Sequence, residues 1–218
     1  MHAHGHGHGD AHGGRARDRQ ALTVALALIL GFMVVEVAAG IVGGSLALLA
    51  DAGHMLTDAA ALAAALVAAR LAAQPARGAW TFGFGRAEIL AAQANGVSLL
   101  VVGLLVVYSA VRRLISPPHV HGWLVVAVAC AGIVVNAAAT AVLARASRES
   151  LNVRGAFVHV ATDLGAFVGT ALAGGLILAT GWNRFDPVAG LLVAALMLRS
   201  SWSLLRDSGR IFLEGSPA

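Results

Sequence analysis

Six long apolar runs occupy nearly the whole chain, at residues 21–42, 46–73, 89–114, 123–144, 157–180 and 187–205. A helix needs about 20 mostly apolar residues to cross a bilayer. The strands of a membrane barrel would instead be short and would alternate in polarity, which these runs do not. The runs therefore predict an all-α, polytopic membrane protein built as a six-transmembrane-helix bundle. Only 12% of the 218 residues are charged, against roughly 25% in soluble domains. Gly and Ala are frequent within the runs, and small residues let helices approach closely in lipid. The first run is too long for a cleaved leader, contains Glu36, and lacks a small-residue cleavage site before more apolar sequence.

All 15 basic residues are Arg, and the formal net charge is +4. They are scattered singly between apolar runs, with no basic stripe carrying interleaved aromatics, so nucleic acid is excluded as a partner. Their distribution sets the orientation. Arg15, Arg17, Arg19, Arg70, Arg77, Arg86, Arg145, Arg148, Arg154, Arg199, Arg206 and Arg210 fall on one side, and Arg112, Arg113 and Arg184 on the other. This bias predicts a multi-pass protein of the inner (plasma) membrane with both termini cytoplasmic. Three parts are expected: a disordered His-rich tail over residues 1–20, a transport domain over 21–206, and a short cytoplasmic end over 207–218. The single cysteine, Cys130, can form no intrachain disulfide and reads as a small packing residue.

The second run is interrupted by "DAGHMLTD", residues 51–58. A charge at mid-bilayer costs roughly 2.5–3.5 kcal/mol on insertion scales. Asp51, His54 and Asp58 are spaced i, i+3, i+7, which places them on one helical stripe facing the bundle interior. The fifth run repeats the theme in "HVATD", with His159 and Asp163 at i, i+4. Two His-x-x-x-Asp pairs facing each other supply two imidazole nitrogens and two carboxylates, a set suited to tetrahedral Zn2+. His6 and Asp10 share the spacing, but in a tail so rich in His that it carries little weight there. A lone polar residue in a span is more simply interhelical glue; duplication in two spans is what favours ligands. Asp51 reads as an accessory residue, lining an access path or bonded to backbone. Asn95 and Asn136 read as glue, and Glu36 as held protonated or facing a cavity.

His2, His4, His6, His8 and His12 lie in a Gly-rich tail that cannot pack, and read as an accessory, loosely chelating metal collector. His119 and His121, on the opposite side, read as solvated loop histidines before they read as an exit-side site.

The chain resembles the cation diffusion facilitator family of divalent-metal exporters. The resemblance rests on "GSLALLADAGHMLTDAAALAAALVAARLA" (44–73), "TFGFGRAEILAAQANG" (81–96), "NVRGAFVHVATDLGAF" (152–167) and "DPVAGLLVAALML" (186–198). It implies a transport site at His54, Asp58, His159 and Asp163, with the His-first form of the second span similar to the zinc-preferring branch. It implies export of cytoplasmic Zn2+, and of ions such as Cd2+ or Co2+, in exchange for protons by alternating access, in a homodimer within the lipid bilayer. No organic cofactor and no enzymatic activity are implied. Family members usually continue from a segment like "IFLEGSP" into a cytoplasmic metal-binding domain, which a chain ending at Ala218 is expected to lack.

Other function classes fit less well. An intramembrane metallohydrolase needs an open metal position and a general base, and no His-Glu-x-x-His is present. A His-x-x-x-Asp acyltransferase would not duplicate its motif. A passive channel, or a membrane metal sensor, is the remaining alternative. A channel favours weak multiple sites, whereas four strong ligands suit a carrier.

Overall fold

The computed structural model describes residues 9–72, 87–144 and 151–212. Six helices follow one another: α1 (Gly9–Gly43), α2 (Leu46–Ala72), α3 (Ala87–Ile115), α4 (Gly122–Ala144), α5 (Leu151–Thr180) and α6 (Phe185–Phe212). The protein is all-α, as the apolar runs predict. Among the described residues, five helices hold stretches long and apolar enough to cross a membrane. The remaining one, α2, is 27 residues long and carries Asp51, His54 and Asp58 in its interior.

Two boundaries differ from expectation. α1 begins at Gly9, so residues 9–20, expected in the disordered tail, are helical; residues 1–8 lie outside the described residues. The stretch from Ala11 to Leu22 holds three Ala and three Arg, which are good helix formers, and it runs straight into the first span. α6 continues past residue 206 to Phe212.

The turns between α1 and α2, α3 and α4, and α5 and α6 gather at one end of the bundle, where their hydrogen bonds interlock. The α1–α2 turn closes with a Schellman motif. Ser45 N donates to Gly40 O at 3.0 Å and Gly44 N to Ile41 O at 3.4 Å, with Gly44 at φ 68°. A side chain at Gly44 would be strained at that φ and would meet the carbonyl of His119. Ser45 then caps α2, its Oγ accepting from Leu48 N at 3.2 Å.

The interior divides in two. One core joins Phe32 and Ala39 of α1, Val125 and Val128 of α4, and Phe167 and Ile177 of α5, with Leu48 of α2 and Val120 of the α3–α4 turn. The other joins Leu46 and Ala50 of α2, Leu99, Val106 and Ala110 of α3, and Val193, Ala194 and Met197 of α6. α2 contributes to both. The perimeter is apolar: Val34, Ile41, Leu104, Leu105, Val134 and Leu172 point outward, as a surface solvated by lipid requires. Tyr108, Trp123 and Trp182 are exposed near the turn end, where amphipathic rings sit at a membrane interface. Cys130 is exposed on α4.

Candidate metal site

His54 and Asp58 follow one another by a single turn of α2. His54 Nε2 lies 3.5 Å from Asp58 Oδ2, and both side chains are partly buried. Between them Thr57 donates its hydroxyl to the His54 carbonyl at 2.7 Å, so that polar group is satisfied without leaving the helix. Asp51, one turn earlier, is buried.

Asp163 is buried on α5, four residues before Phe167, so it shares the inward face on which that ring anchors the helix to the first core. Asp163 lies within electrostatic reach of Asp51 on α2. His159 lies one turn earlier on α5, with its side chain outside the described residues. Among the described residues no three His, Cys, Asp or Glu side chains gather closely enough to hold a metal ion, and that set omits His159. His2, His4, His6 and His8 fall outside the described residues; His12 lies on α1 with its side chain outside them.

Glu36, read from the sequence as held protonated or facing a cavity, is brought by the fold close to Asp51. Glu36 of α1 is fully buried. Neither carboxyl oxygen has a hydrogen-bond partner among the described residues. It faces Asp51 and lies within electrostatic reach of Asp163. Acidic side chains of α1, α2 and α5 thus influence one another electrostatically in the bundle interior. The only signal in the sequence was an acidic residue in the first span.

Asp186 is a second residue whose role was not legible. It stands in the first turn of α6 yet caps a different helix. Its Oδ2 accepts from Leu46 N at 2.6 Å, and its Oδ1 from Ala47 N at 3.3 Å and Ser45 Oγ at 2.5 Å. Arg113 of α3 lies 3.8 Å from its Oδ2 and also donates to the Gly44 carbonyl. Arg184 donates to the Leu114 carbonyl at 2.8 Å, closing the α3 terminus. The helix that carries His54 and Asp58 is therefore tied at its N-terminus to α3 and α6. Two of the three Arg residues assigned to this end are consumed by helix termini.

Of the residues read as glue, Asn136 bonds its own helix, donating to Gly132 O at 3.0 Å. An interhelical polar bond comes instead from Ser201 of α6, which donates to the Gly96 carbonyl of α3 at 2.7 Å.

Comparison with known proteins places this architecture. The family described as the cation efflux transmembrane domain matches residues 22–213. The zinc transporter ZitB of Escherichia coli is 46% identical over 188 residues, covering 86% of this chain and 60% of the relative. The cadmium, cobalt and zinc/H(+)-K(+) antiporter of Bacillus subtilis is 40% identical, covering 91% of this chain and 64% of the relative. The metal cation efflux system protein CzcD of Cupriavidus metallidurans is also 40% identical, with 91% and 63% covered. The chain thus spans about 60% of the length of these curated relatives.

Proposed function

Because the chain belongs to the cation efflux family, we propose that it is a carrier that moves Zn2+ out of the cytoplasm in exchange for protons, with His54, Asp58, His159 and Asp163 as the ligands of the transported ion. The relatives' names support the substrate: one is a zinc transporter, and one a cadmium, cobalt and zinc antiporter coupled to protons and potassium. Cd2+ and Co2+ are accordingly secondary substrates.

The observation that carries the reading is Asp163. It is an acidic side chain buried in a lipid-facing bundle, within electrostatic reach of the helix that bears His54 and Asp58. An isolated carboxylate there would be costly, whereas a divalent ion or protons balance it. Zinc ligation needs ionised carboxylates and neutral imidazoles, so metal and protons compete for the same atoms and a gradient of one drives the other. The division of the interior into two separately packed cores, with α2 contributing to both, supports alternating access, because one core can shift against the other. Both termini are proposed to lie in the cytoplasm and the interlocked turns outside; the Arg asymmetry supports this orientation. Assembly as a homodimer within the membrane belongs to the same proposal.

The test is zinc flux into liposomes with and without an imposed proton gradient, for the wild type and Asp163→Ala. Proton-dependent flux is expected for the wild type, and near-complete loss for the variant at equal incorporation. Normal flux through Asp163→Ala removes the site, and flux indifferent to the gradient favours a channel.

A further inference from the structure

The connection between α3 and α4 is fixed to the bundle at three points. Val120 is buried and packs into the core shared by α1, α4 and α5. His121 N donates to the Gly43 carbonyl at 3.0 Å. The carbonyl of His119 lies against Gly44, 2.9 Å from where a side chain would begin. His119 and His121 flank the buried valine, and both are exposed. Their ring centroids are 5.0 Å apart with planes at 74°.

Such spacing is compatible with a shared metal ion. With zinc–nitrogen bonds of about 2.0–2.1 Å and a tetrahedral angle, the centroids of two imidazoles on one ion stand roughly 5 Å apart. The anchored backbone has already met the entropy of bringing the two side chains together. Of the neighbouring cations, Arg113 is paired with Asp186, and Arg112 lies over the Tyr108 ring with 5.9 Å to its centroid.

We propose that His119 and His121 form a two-imidazole site for a divalent transition-metal ion such as Zn2+, completed by water, at the end of the bundle opposite the start of α1. With two protein ligands and full access to solvent, it binds more weakly than a four-ligand site and exchanges quickly. That suits a station where an ion rests on its way to or from the aqueous phase. The proposal stands on the geometry of this turn and does not require the transport reading.

The experiment counts zinc bound per chain by equilibrium dialysis of the 218-residue chain in lipid nanodiscs, with Cu2+ as a spectroscopic probe. The His119→Ala/His121→Ala variant is expected to bind one equivalent fewer than wild type at high zinc. It should also lose a copper paramagnetic-resonance signal carrying two-nitrogen hyperfine structure. A His119→Gln/His121→Gln variant gives the same readout if the alanines lower expression, and unchanged helical circular dichroism shows that the fold is retained. Equal zinc stoichiometry and an unchanged copper spectrum in a folded double variant would overturn the site.

Discussion

Asp186 of α6 accepts a hydrogen bond from the Ser45 hydroxyl at 2.5 Å, joining positions 141 residues apart. Through the same carboxylate α6 supplies the anion that α2 lacks at its own N-terminus, where two backbone N–H groups point at it. Asp186→Ala strands those donors together with Arg113. We expect a loss of stability of roughly 3–5 kcal/mol, the usual cost of removing one partner of a buried charged network. Ser45→Ala removes only the cap and one contact, for about 1 kcal/mol. Thermal unfolding in detergent checks both, and equal losses for the two variants would contradict the clamp.

What the sequence made legible is what repeats along a single helix. Apolar runs announced the six helices, and the i, i+3, i+7 spacing announced the polar stripe of α2. Asp186 and Ser45 lie too far apart for any local pattern to pair them. The partner of Glu36 was not legible because Asp51 comes from another helix. The exposure of Cys130 was not legible because an apolar run does not say which of its faces meets lipid. The start of α1 was misplaced because the Gly and His of the tail masked the helix formers that follow them.

Gly132 of α4 offers a test of how closely α4 and α5 must approach. A Cβ there would stand 2.5 Å from the Phe167 ring, which packs edge-on against Phe32 at 5.6 Å between centroids. Gly132→Ala should cost about 1–3 kcal/mol through overpacking. Phe167 is one turn beyond Asp163, so zinc affinity should fall as well. Gly165→Ala is the control: nothing lies within 4 Å of its Cβ position, and replacing an interior helical glycine there should stabilise by up to about 1 kcal/mol. Thermal unfolding and zinc titration read both. Similar behaviour of the two variants would sink the close-approach argument.

Coupling between metal and protons gives a signed prediction. If zinc takes deprotonated ligands, binding releases protons, and apparent affinity must fall as pH is lowered. The titration belongs to the whole group of interacting side chains, Glu36 and Asp51 included, rather than to one residue. Calorimetry in buffers of different ionisation enthalpy should therefore show heats that scale with the buffer. Identical heats in all buffers, with affinity independent of pH, would exclude exchange through these ligands.

Selectivity turns on His54, whose Nε2 lies 3.5 Å from Asp58 Oδ2. The proposed set of two imidazoles and two carboxylates has a formal charge of minus two when ionised, which matches one divalent ion and the nitrogen–oxygen preference of tetrahedral zinc. His54→Asp changes it to one imidazole and three carboxylates, with charge minus three. Aspartate is also shorter than histidine, so the site becomes roomier and richer in oxygen. Carboxylates bind through one oxygen or two, which permits higher coordination numbers and larger ions. The variant should keep zinc transport and gain cadmium or manganese transport relative to wild type. The added carboxylate also gives protons one more atom to compete for, so metal binding should become more sensitive to acid. Competition flux in liposomes, zinc against cadmium and manganese, measures the ratio for both proteins side by side. An active variant with an unchanged metal ratio would mean that His54 does not touch the transported ion, and the ligand set would have to be rebuilt from Asp51, Asp58 and α5.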